Sequence, residues 1–71
     1  MRYADLESYC AANGHVKERW IAEQIGIDQV RFSKLKSRKY GLRPTPEEEQ
    51  RIAALLNQPT EHVRGLYERA A

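Results

Sequence analysis

An all-α fold, a compact bundle of about five short helices containing a helix-turn-helix, is what this sequence predicts, and three observations carry the prediction. Apolar residues recur at three- and four-residue spacing in each segment, and nowhere do they alternate as a strand would require. Breakers divide the chain at Gly14, at Gly26, at Gly41 with Pro44, and at Asn57 to Pro59. Residues that favour helix N-caps, Asp28, Thr45 and Thr60, stand at or just after these breaks.

Residues 3 to 13 predict the first helix, with Tyr3, Leu6, Tyr9 and Cys10 on its buried face and Gly14 as its stop. Val16 then turns inward, and His15 reads as a solvated loop residue. The helix-turn-helix spans roughly Glu18 to Ser37. Its first helix covers Lys17 to Ile25, with Ile21, Ala22 and Ile25 inside. Ala22 is small because two short helices crossing steeply touch there backbone to backbone. Gly26 occupies a turn that needs positive φ, which glycine adopts without strain, and Ile27 points back to the core. Asp28 caps the second helix, Gln29 to Ser37, whose inner face is Phe32 and Leu35.

A loop follows from Arg38 to Pro44. Thr45 then caps the fourth helix, Pro46 suits its first position, and Glu48 completes a capping box. Glu47, Glu48 and Glu49 complement the positive end of the helix dipole, which makes them helix starters rather than a metal or catalytic cluster. Ile52, Ala53, Leu55 and Leu56 form the apolar stripe. Thr60 caps the last helix, with Val63, Leu66 and Tyr67 on one side.

The chain has 71 residues, 41% of them apolar, which suits one small domain over residues 1 to 71. Cys10 is the sole cysteine, which excludes an internal disulfide and a multi-thiolate metal site, and burial as a small apolar residue is its simplest role. His15 and His62 are too few for a metal site, and no nucleophile, metal or phosphate-loop spacing appears. No enzyme, cofactor or metal is therefore expected. The start MRYADLESY carries acids early and lacks an apolar stretch, and no run nears the roughly 18 apolar residues of a membrane span. The expected location is the cytoplasm, in association with the nucleoid.

Net charge is only +2, but its distribution is uneven. Between Gln29 and Arg43 lie Arg31, Lys34, Lys36, Arg38, Lys39 and Arg43 without a single acid, whereas the segments on either side are each acidic on balance. One basic strip on an acidic body points to a polyanionic partner.

The stretch IAEQIGI, with Phe32 and Leu35 after it, and the tail LRPTPEEEQRIAALLNQPTEHV resemble the Cro and lambda-repressor-like, or XRE-type, helix-turn-helix family. The resemblance covers nearly the whole chain. It implies a DNA-binding domain whose second motif helix enters the major groove N-terminus first. Base contacts are then expected from Gln29, Val30, Ser33 and Lys34, with Arg31 reaching a base or a phosphate. Phosphate contacts are expected from Lys36, Arg38, Lys39 and Arg43, with Ser37 and Tyr40 as hydroxyl donors. The chain departs from the family where the motif usually begins with a Ser or Thr cap followed by Gln. Here stand Lys17 and Glu18, so the usual phosphate contact is either lost or taken over by Lys17 or Arg19. Trp20 also holds a usually polar place and reads as a lid on Val16 or the first helix.

The function so implied is a sequence-specific regulator of transcription, a bacterial or phage repressor binding double-stranded DNA. One such domain reads few base pairs, so a homodimer on a palindromic operator is expected, its half-sites about one helical turn apart. The last helix, around Val63, Leu66 and Tyr67, is the first candidate for the dimer surface, and Trp20 or Tyr3 the second. An architectural or excisionase-type DNA-binding factor and an antitoxin-like protein-interaction module are the alternatives.

Overall fold

Five helices enclose a single apolar core in the computed structural model, which describes residues 1–69: α1 (Leu6–Ala12), α2 (Glu18–Ile25), α3 (Gln29–Ser37), α4 (Pro46–Leu56) and α5 (Thr60–Arg69). No strand occurs among the described residues. The all-α bundle predicted from sequence is the observed fold. Helices α4 and α5 pack on each other most extensively, α2 leans on α3 and α4, and α1 rests against α3 and α4. The core consists of Leu6, Ile21, Ala22, Ile25, Phe32, Leu35, Ile52, Ala53, Leu56, Val63 and Tyr67. Each large apolar side chain so buried contributes about 1.5–3 kcal/mol, and together they offset the ordering of a short chain.

The N-terminal segment differs from expectation. Helix α1 begins at Leu6 rather than near residue 3, because Asp5 caps it by accepting the Ser8 amide at 2.8 Å. Tyr3 and Ala4 lie before the helix as a strap. The Tyr3 amide donates to the Leu56 carbonyl at 3.0 Å, Gln58 Nε2 donates to the Tyr3 carbonyl at 3.2 Å, and His62 Nε2 donates to the Ala4 carbonyl at 2.7 Å. Tyr3 still packs on the core, edge-on against Tyr9 with ring centroids 5.0 Å apart. The helix ends at Asn13, not through a left-handed glycine: the Asn13 amide and its Nδ2 both donate to the Tyr9 carbonyl, at 3.0 and 2.9 Å.

Helix α2 closes as the sequence predicts. Gly26 adopts φ 83°, and the Ile27 amide reaches back to the Ala22 carbonyl at 3.1 Å, the wrapped end that left-handed glycine permits. A Cβ built on Gly26 would lie 2.5 Å from Arg51 Nη1, which itself donates to the Ile25 carbonyl at 3.2 Å. Helix α4 carries the expected capping box between Thr45 and Glu48 and ends on Asn57 in the left-handed region. Thr60 is the first residue of α5 rather than its cap, and the Pro59 carbonyl accepts the His62 amide there.

One expectation about surfaces changes. Val63 and Tyr67 lie inside the core, with Leu66 partly buried beside them, because α5 turns this face onto α4. They therefore offer no free face for a second copy. Trp20 leaves 47% of its surface open.

Candidate nucleic-acid interface

Helix α3 is built to show one face and anchor the other. Asp28 starts it by accepting the Arg31 amide at 2.7 Å. Phe32 and Leu35, one turn apart, are fully buried. On the opposite side of the helix Gln29, Val30, Ser33 and Lys34 are all exposed, and 67% of Val30 faces solvent. An apolar side chain left open among polar ones at the start of a helix adds nothing to the core.

Each of the four other helices contributes one polar tie to α3 or its C-cap. From α4, Glu48 grips Arg31 through two bonds, Nη2 to Oε1 at 2.7 Å and Nε to Oε2 at 3.0 Å. From α2, Glu18 takes the Lys36 ammonium in a short ion pair. From α1, the cap residue Asp5 accepts Arg38 Nη2 at 3.1 Å. From α5, the Tyr67 hydroxyl donates to the Leu35 carbonyl at 3.0 Å, within the last turn of α3 where carbonyls lack helical partners. Arg31 Nη2 also reaches the Arg43 carbonyl at 3.4 Å, which ties the loop before α4 to the same helix.

The titrating groups follow these contacts. The Glu48 carboxyl is held below its ordinary value first by the Arg31 hydrogen bond; burial pushes the other way, and the Thr45 amide and the Arg31 charge add to the lowering. The hydrogen bonds that Arg31 donates to Glu48 and Lys36 to Glu18 raise Arg31 and Lys36 respectively. Burial pushes the Asp5 carboxyl up, but the hydrogen bonds from Ser8 and the charge of Arg38 outweigh it and leave the group lowered. Burial lifts the Tyr67 hydroxyl to about 12. Cys10, partly covered, is also raised by burial, which disfavours its thiolate.

The strip that sequence treats as uniform is therefore divided. Arg31, Lys36 and Arg38 are half-buried and bound to acids. Ser37 is turned back as well, its hydroxyl donating to the Lys34 carbonyl at 3.2 Å. Lys34, Lys39, Tyr40 and Arg43 stay exposed, and no acid lies within ion-pair distance of the three cations among the described residues. Lys34 Nζ sits over the Tyr40 ring, 5.8 Å from its centroid. On α2, Lys17 is exposed at the N-cap without making a cap bond, and Arg19 is exposed with Glu23 at 3.9 Å.

Sequence reasoning marked the open face but missed the ties beneath it. Glu18, standing where the resembled family carries Gln, is half of one, and that departure was its visible signal. Leu42, which packs against the core from the loop after α3, was also missed. No helix among the described residues is long and apolar enough to cross a membrane. No protein-family model, curated protein or solved structure matches the chain.

Proposed function

We propose that this protein binds double-stranded DNA sequence-specifically and regulates transcription, as a repressor that occupies an operator. The observation that carries the proposal is the two-sided build of α3: an open face of Gln29, Val30, Ser33 and Lys34 opposite a side held by all four other helices. With its side chains an α-helix is about 10–12 Å across, which suits a major groove about 12 Å wide. A helix whose orientation is held before docking loses little freedom on binding, which favours discrimination.

In this reading Gln29 pairs with adenine, Lys34 donates to guanine, Val30 meets a thymine methyl and Ser33 takes either base edge. Lys39 and Arg43 contact phosphates from the loop after α3, and Lys17 and Arg19 do so from α2. Arg31, Lys36, Ser37 and Arg38 hold the reader in place instead. The likeness of IAEQIGI and the tail to Cro and lambda-repressor-like domains supports the same conclusion. Because one copy reads only a few base pairs, the functional unit is a homodimer on a palindromic site, located with the nucleoid in the cytoplasm.

Selecting bound duplexes from a random-sequence DNA pool tests the function. Enrichment of a palindromic sequence, confirmed by tighter binding than to scrambled duplex, is the expected result. A pool that stays random after repeated selection would refute sequence-specific binding.

A further inference from the structure

We propose that Asp5, Glu18 and Glu48 withhold cations of the basic strip from DNA and thereby limit how strongly the α3 face grips phosphates. The proposal rests on the reading of that face as a DNA-docking surface. The strip contains six cations, and three of them are matched one to one by acids from other elements: Arg31 by Glu48, Lys36 by Glu18 and Arg38 by Asp5. A cation so matched either leaves its carboxylate to reach a phosphate or carries that carboxylate's negative charge up to the phosphate with it, and in both cases repulsion offsets part of the contact. Lys34, Lys39 and Arg43 face no such cost.

The division has a function in recognition. Phosphate contacts give affinity to every sequence alike, whereas base contacts choose among sequences. Five free cations beside four base-reading side chains, Lys34 counted with the readers, would favour indiscriminate binding. Holding three of them inside the protein keeps the sequence-independent part of the affinity low while the same pairs fix α3. Asp5, Glu18 and Glu48 are thus positioning residues, acting on DNA through the cations they restrain.

Neutral replacements that keep the local structure provide the test. Asn caps a helix as well as Asp does, and Gln serves in a capping box, so Asp5→Asn and Glu48→Gln preserve their helix starts. Glu18→Gln is the third variant. Glu61→Gln, on α5 and in no ion pair among the described residues, is the control for lost negative charge. The measurement is affinity for a fluorescently labelled mixed-sequence duplex across a range of salt concentrations. Each of the three variants is expected to bind more tightly at low salt and to steepen the log–log salt slope by about 0.9, while Glu61→Gln leaves the slope unchanged. Because the three residues belong to different helices, failure of one variant to fold leaves two to decide. Normal binding by the unaltered protein with slopes in the variants no steeper than its own overturns the withholding. So does an equal rise in Glu61→Gln. Absence of any duplex binding by the unaltered protein overturns the docking reading, and the withholding with it.

Discussion

Arg31 and Glu48 meet in a two-pronged ion pair, at 2.7 and 3.0 Å, and the oxygen that accepts Arg31 Nη2 also accepts the Thr45 amide at 2.9 Å. A single carboxylate therefore begins α4 and holds α3 against it. Glu48→Ala is expected to remove the capping box and to leave Arg31 without its partner, at a cost of about 1–2 kcal/mol in urea unfolding. Glu48→Gln, which retains a capping side chain, should cost less. Because the folded protein holds this carboxyl below its ordinary 4.5, the stabilisation is present above that pH and is lost as pH falls through the lowered value. An acid-unfolding profile unchanged by Glu48→Gln would contradict the assignment.

Tyr67 provides the opposite sign. Its hydroxyl is ordinary at 10.0 when the chain is unfolded and stands at about 12 in the fold. A raised value means that the stabilisation is complete below pH 10.0 and is lost as pH climbs toward about 12. Tyr67→Phe should remove this part of the alkaline loss. At neutral pH it leaves the Leu35 carbonyl without its donor and should destabilise by about 1 kcal/mol. Unfolding midpoints compared across that pH range decide the matter.

Gly26 meets two demands at once. Its left-handed backbone would cost an alanine about 1–2 kcal/mol, and the added Cβ would also displace Arg51 from the end of α2. Gly26→Ala is expected to lower the melting temperature. In the double variant with Arg51→Ala the crowding disappears and the strain remains, so recovery should be partial. Complete recovery would show that the turn tolerates a side chain.

DNA measurements separate the readers from the ties. Gln29→Ala or Lys34→Ala should abolish preference for the selected site while weak, salt-sensitive binding persists. Arg43→Ala should lower the salt slope by about 0.9, and Arg38→Ala should chiefly reduce stability. Tyr40, 67% exposed, offers Lys34 the face of its ring, an interaction of about 0.5–1 kcal/mol at an exposed site. Tyr40→Phe retains that face and Tyr40→Leu does not. Equal loss in both would assign the effect to the hydroxyl.

What sequence made visible was local. The Thr45–Glu48 box joins residues three apart, and the bounds of α3 from Gln29 to Ser37 follow from a cap and a periodic face. The ties to α3 were not visible because their partners lie 17, 18 and 33 residues apart, and an acid far along the chain carries no mark of its partner. Counting charge along the strip consequently marked the segment as basic but overstated how many of its cations are unpaired. The start of α1 was misplaced for a related reason. Tyr3 reaches the core from outside the helix, which imitates the spacing of a residue within it. Leu42, a lone apolar residue in a loop, had no period by which to be recognised.

The N-terminal strap bears on the order in which the chain assembles. Its bonds join Ala4 to His62 and Tyr3 to Gln58, contacts that span 58 and 55 residues. Such long closures bring little reward until both ends are in place, so the strap is expected to form late in folding and to open early. Opening it frees the start of α5, the helix whose Tyr67 holds the last turn of α3. Firmness of α3 thus depends on residues at the far end of the chain, and deleting residues 1 to 4 should speed amide exchange in α3.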